Sequence, residues 1–142
     1  MNRDSIMSYQ HEEYHILISI HDPFDRPPLI ASNSARRALL TVPFHDINQE
    51  QMHIVTQLNE VAKKKKQLLP ITEEQAKKIV EFVKEHIDYV SAIVCQCDAG
   101  ISRSAGLAAA LAKQLNGDDA LYFKNYLPNT RVYNLILKEF QK

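Results

Sequence analysis

The chain alternates between short, almost unbroken apolar runs and longer stretches in which apolar residues return every three or four positions. Tyr14-His15-Ile16-Leu17-Ile18-Ser19-Ile20 is the first such run, and its near-continuous apolar character predicts a strand inside a sheet. His21-Asp22-Pro23 ends it, and the stretch through Pro27-Pro28 reads as loop. Ala38 to Val42 predicts a second strand, stopped by Pro43, and Val90 to Cys95 a third, buried one. Between these two, Met52, Val55, Leu58, Val61 and Ala62 recur at helical spacing and predict a helix within residues 48–66. A second helix runs to about Asp88, with Ala76, Ile79, Val80, Val83 and Ile87 on one face. Thr72 with Gln75 forms a capping-box pattern at its start, and Glu73 and Glu74 suit its first turn.

After the third strand, Ala105 to Ala112 predicts a helix packed closely on most sides, ending near Asn116-Gly117 where glycine fits a C-cap. Asp118 caps a short helix to about Tyr126. Asn129 starts a last helix, buried through Val132, Leu135, Ile136 and Phe140. Strands interleaved with helices predict an α/β domain with a central, mostly parallel sheet flanked by helices. In such sheets the ligand crevice lies beyond the strand C-termini, here near His21, Phe44 and Gln96.

The length, 142 residues, suits one domain, taken as 13–142 behind a polar, flexible segment 1–12. With 17 basic and 17 acidic residues the chain carries no net charge, which gives no footing for nucleic acid or a membrane surface. No apolar stretch approaches a membrane span, and Met1 to Gln10 lacks a signal-peptide core. The only cysteines, Cys95 and Cys97, lie too close in an extended strand to bridge easily, which fits a reducing cytoplasm. Six scattered histidines show no ligand spacing, so neither a metal nor a cofactor is expected. Lys63 to Lys66 reads as a solvated charge run, its sharper alternative being a docking patch for an acidic partner.

Chemistry concentrates in Cys97-Asp98-Ala99-Gly100-Ile101-Ser102-Arg103-Ser104, set between the third strand and its helix. A tight loop feeding a helix N-terminus gathers unpaired N–H groups and the positive end of the helix dipole, which makes an anion site. Residues Asp98, Ala99, Gly100, Ile101 and Ser102 would line it, Gly100 permitting the sharp turn. Cys97 stands at its entrance, where that field suits an anionic sulfur nucleophile. Arg103 offers a planar fork that matches two oxygens of one phosphate. Nucleophile, cradle and clamp within seven residues point to phosphate-ester hydrolysis through a cysteinyl-phosphate.

Cysteine, five residues, arginine and serine in this register resemble the signature loop of the cysteine-based protein tyrosine phosphatases. The loop's place two-thirds along the chain resembles the dual-specificity branch, closest to small bacterial phosphatase-like proteins. Leu127-Pro128-Asn129-Thr130-Arg131-Val132-Tyr133 looks like that branch's Pro-Asn segment, and Val42-Pro43-Phe44-His45-Asp46 like its general-acid loop. The likeness covers roughly residues 14–140. It implies a phosphatase-like fold and Asp46 as general acid, with Asp22 at another strand end as the rival. It also implies that the Ser104 hydroxyl stabilises the leaving cysteine sulfur and that Asn129 steadies the loop, although Ser104 also suits a helix start and Asn129 a plain N-cap. His45 would orient the loop or the substrate.

Two positions depart from the family pattern. Gln96 stands where the family usually has histidine; an amide can still hydrogen-bond the loop but brings no positive charge. Asp98 puts a carboxylate beside the phosphate loop, which a polyanionic substrate would dislike. The expected substrates are phosphotyrosine and phosphoserine or phosphothreonine in proteins. The alternatives are small phosphoesters, or a pseudophosphatase module that binds phosphorylated partners without turnover. Oligomeric state is not legible in the sequence.

Overall fold

The computed structural model describes residues 1–7, 10 and 12–142. Three strands form one sheet: β1 (His15–His21), β2 (Arg36–Pro43) and β3 (Ala92–Gln96), in the order β2-β1-β3 with both pairings parallel. Ile18 lies across from Leu40 on one side and Cys95 on the other, and Ser19 from Gln96. Because β1 is central, all seven of its residues are buried, as its unbroken apolar run implied. The outer strand β2 instead alternates between half-buried and exposed positions up to Val42. All three strands end at the same edge of the sheet, which puts Asp22, Phe44 and Cys97 next to one another in space.

The helices are α1 (Arg3–Ile6), α2 (Met52–Val61), α3 (Glu73–His86), α4 (Arg103–Asn116), α5 (Ala120–Asn125) and α6 (Thr130–Phe140). α3 begins as its sequence dictates: the Thr72 side chain accepts from the Gln75 N–H at 3.1 Å, and Gln75 Oε1 accepts from the Thr72 N–H at 3.0 Å. α4 ends at Gly117, which adopts φ +79 and returns its N–H to the Lys113 carbonyl. One core joins the sheet to α3, α4 and α6 through Ile16, Ile18, Ile20, Phe44, Ile79, Val83, Leu107, Val132 and Ile136. Each of these large side chains contributes about 1.5–3 kcal/mol on burial. No helix among the described residues is long and apolar enough to cross a membrane.

α2 departs from expectation. Of its apolar stripe only Val55 is buried, while Leu58 is 48% and Val61 86% exposed. The helix also stops at Val61 instead of running on to the lysines, which form a separate 3-10 turn, Lys64–Lys66. Polar pairing ends it. Asn59 accepts from the Leu68 N–H at 2.7 Å and donates to the Leu68 carbonyl at 2.8 Å, folding the chain back across the helix end. Four consecutive lysines would also repel one another along a continued helix. In the segment expected to be loose, Arg3–Ile6 forms one helical turn capped by Asn2, and Ile6 is 2% exposed.

Candidate active site

Cys97 follows β3 directly and is 1% exposed, and Arg103 opens α4 at 5% exposed. Between them the chain turns at Gly100, whose φ of +75 lies in the left-handed region that favours glycine. A side chain there would also strike the Asn2 backbone at 2.7 Å. Cys97 Sγ accepts from the Gly100 N–H at 3.2 Å and lies 3.1 Å from the Ser104 hydroxyl. One backbone donor therefore faces the sulfur, which in turn donates to the Ser104 hydroxyl. Among the described residues, the N–H groups of Ala99, Ile101 and Ser102 meet no acceptor. The loop thus retains unpaired donors beside a buried thiol, which is the chemistry of an oxyanion cradle.

The loop's backbone is pinned from two sides. Its front half is held by the N-terminal segment: the Cys97 N–H donates to the Met1 carbonyl at 2.8 Å, and the Arg3 N–H to the Asp98 carbonyl at 3.0 Å. Its back half is held by residues 127–129: the Leu127 N–H donates to the Ile101 carbonyl at 3.2 Å, and the Asn129 N–H to the Ser102 carbonyl at 2.9 Å. This second approach requires Gly106, because a Cβ there would sit 2.6 Å from the Asn129 carbonyl oxygen.

Asn129 is the N-cap of α6, its Oδ1 accepting from the Val132 N–H at 2.9 Å. Its amide nitrogen donates to Asp46 Oδ1 at 2.8 Å and to the Ile47 carbonyl at 3.1 Å. The Ser102 hydroxyl donates to the same Asp46 oxygen at 2.7 Å. Asp46, otherwise exposed, is therefore anchored beside the residue that precedes Arg103. His45 fixes the other side of this segment, accepting from the Leu69 N–H at Nδ1, 2.8 Å away.

Asp22, the rival acid in the sequence, has a different neighbour. Arg103 Nη1 donates to Asp22 Oδ1 and, at 2.8 Å, to the Phe44 carbonyl. Arg103 Nη2 lies 3.6 Å from Asp98 Oδ2, and Asp98 also accepts from the Asp22 N–H at 3.3 Å and from Arg3 Nη1 at 3.2 Å. Carboxylate oxygens of Asp22, Asp25 and Asp98 come within 4.8 Å of one another, a cluster that Arg103 and Arg3 counterbalance. The Arg103 and Arg3 contacts were missed from sequence because their partners lie 81 and 95 residues away along the chain. Only the placing of Asp22 at a strand end hinted at the first.

Gln96 corrects the sequence reading. Instead of bonding the loop, its Oε1 accepts from the Ser19 hydroxyl across the sheet, and its Nε2 has no partner among the described residues. The register of β1 against β3 sets these two side by side, and that reach turns the amide inward. Cys95, two residues before Cys97, is buried, and burial pushes its thiol up to about 12. A cavity of about 300 Å³ runs along β3 and α4, lined by Cys95, Ile93, Ala108, Leu111 and Tyr122, and it reaches neither Cys97 nor Arg103.

No protein-family model and no curated protein matches this chain. Among solved structures, it is similar to the human tyrosine phosphatase-like serine/threonine/tyrosine-interacting protein, with 16% identity and a TM-score of 0.51 over 89% of this chain and 75% of that one. It is also similar to human DUSP28, with 15% identity and a TM-score of 0.50 over 89% and 74% of the two chains. At such identities the likeness concerns the fold. A single α/β domain with a parallel sheet, flanking helices and a strand-loop-helix at its C-terminal edge gives this chain the fold of the dual-specificity phosphatases.

Proposed function

We propose that this protein hydrolyses phosphate monoesters through a cysteinyl-phosphate. The observation that carries this reading is the loop itself: a buried Cys97 sulfur hydrogen-bonded to the Gly100 N–H and the Ser104 hydroxyl, unpaired N–H groups at Ala99, Ile101 and Ser102, and Arg103 at the start of α4. The Cys97 sulfur attacks phosphorus as the ester P–O bond breaks, while loop N–H groups and Arg103 hold the equatorial oxygens. Asp46 gives its proton to the departing oxygen. Water then attacks phosphorus, the S–P bond breaks, and Asp46 takes the water's proton. Phosphotyrosine and phosphoserine or phosphothreonine in proteins are the proposed substrates, and the cytoplasm the proposed location.

One observation favours a second reading, in which phosphorylated partners are bound without turnover. Arg103 is engaged by two carboxylates, Asp22 and Asp98, which in that reading compete with a phosphoryl group for its charge. Turnover of p-nitrophenyl phosphate in the presence of chelator separates the two. The expected result is phosphate release by the wild type and none by Cys97→Ser, whose hydroxyl is hardly ionised near neutral pH. Equal release by both would remove Cys97 as nucleophile. Tungstate binding without any release would establish the binding module.

A further inference from the structure

The Arg103 guanidinium has five N–H donors along two usable edges, and the structure shows which are taken. Both established hydrogen bonds leave from Nη1, one to Asp22 and one to the Phe44 carbonyl. Nε and Nη2 make no hydrogen bond among the described residues; the nearest carboxylate oxygen to Nη2, on Asp98, is 3.6 Å away. Planarity places the Nε and Nη2 donors along one side of the group, the side that grips two oxygens of a phosphoryl group as a fork. The two acceptors on Nη1 come from the ends of β1 and β2, so the sheet itself fixes the rotation of the guanidinium. Asp22 is in turn held by Asp98, which accepts its N–H.

We infer that Asp22 is the positioning residue of the phosphate clamp: it occupies Nη1 of Arg103 and so presents the Nε/Nη2 edge to the substrate oxyanion. This rests on the phosphate-binding part of the reading above, and it gives Asp22 a role other than that of a rival acid. A carboxylate suits the task because a charge-assisted bond to a 7%-exposed guanidinium is stronger than a neutral one. Asp98, the second carboxylate beside the site, holds the Asp22 backbone through its N–H and lies 3.6 Å from Nη2.

The test is calorimetric titration of sodium tungstate into Cys97→Ser, alone and with Asp22→Ala, Arg103→Ala or both. Asp22→Ala is expected to weaken tungstate by about 10- to 100-fold, the scale on which a misplaced binding group acts. Asp22→Asn, which keeps an acceptor, recovers part of the loss. In the Arg103→Ala background, Asp22→Ala should cost nothing further, since its effect passes through the guanidinium. With Cys97 restored, Asp22→Ala should lower turnover by one factor for p-nitrophenyl and difluoromethylumbelliferyl phosphates alike. Tighter tungstate binding by Asp22→Ala would make Asp22 a competitor of the anion and overturn the proposal, as would losses that add in the double variant. If Asp22→Ala does not fold, Asp22→Asn with and without Arg103→Ala decides by the same criterion. Tungstate binding that follows this pattern without turnover would leave the clamp standing and remove the hydrolase.

Discussion

The two rims of the loop from Cys97 to Ser104 are built on opposite principles. On the rim formed by β1, the contacts are between full charges: Arg103 with Asp22 and Asp98, and Asp98 with Arg3. On the rim formed by the segment after β2 and the start of α6, one carboxylate, Asp46, is held only by neutral donors, the Ser102 hydroxyl and the Asn129 amide. A carboxylate paired with a buried guanidinium balances a charge that would otherwise be stranded. The other, at an exposed position, balances no buried charge. The fold therefore separates two aspartates that look alike in sequence: one paired with a buried arginine, the other with neutral groups.

The largest expected effect breaks the comparison at Asp46. Asp46→Asn should slow hydrolysis of a phosphotyrosine peptide by about 10²–10⁴-fold, the usual contribution of a general acid, and that of difluoromethylumbelliferyl phosphate far less. Steady-state rates on the two substrates read this directly. If the leaving-group dependence instead followed Asp22→Asn, the roles of the rims would be reversed. Next comes Arg103→Lys, which replaces the fork with a point charge; a fall of about 10²–10³-fold is expected, the same for both substrates. A loss confined to the poorer leaving group would place the charged rim in proton transfer.

A smaller effect, on stability, sharpens the comparison at the neutral rim. Gly106→Ala pushes a methyl group against the Asn129 backbone and should lower stability by about 1–3 kcal/mol, measured by urea unfolding. At temperatures where the variant stays folded, it should depress both phosphotyrosine turnover and tungstate binding, because Asn129 holds Asp46 through its side chain and the loop's Ser102 carbonyl through its backbone.

The smallest effect lies beneath both rims. The folded state keeps the Cys95 proton up to about 12, whereas the ordinary value is 9.0. Between those values the folded chain binds more protons than the unfolded one, so stability falls as pH rises through that window and is fully present below it. Tyr133, pushed up to about 12 by burial and by its hydrogen bond to Asp119, adds to the decline only above 10. Cys95→Ala should thus flatten the loss between pH 9 and 10, by about 1 kcal/mol. An unchanged slope in that interval would mean that β3 opens to solvent below the loop.

Elements governed by local chemistry were readable in order along the chain. The capping box at Thr72, the N-cap at Asn129, the left-handed glycine at 117 and the unbroken apolar run of β1 each state their own structure, because each depends on neighbours a few residues away. The end of α2 was not readable. It depends on Asn59 meeting Leu68, a contact no periodicity reports, and the helix lies on the outside, where an apolar stripe need not be covered.

At the site the division falls in the same place. The sequence by itself determined the loop from Cys97 to Ser104, since strand, turn glycine and helix start are consecutive and their residue types leave little freedom. It also offered two aspartates near strand ends as candidate acids. Only the tertiary structure decided between their surroundings, turned Gln96 away from the loop toward Ser19, and brought Met1 and Arg3 onto the loop's front half. Those contacts join residues 56 to 96 positions apart, and their partners are chosen by parallel register and by how closely α4 packs on α6. Local chemistry writes the loop, while the ends of three strands meeting at one edge of the sheet assign each acid its partner.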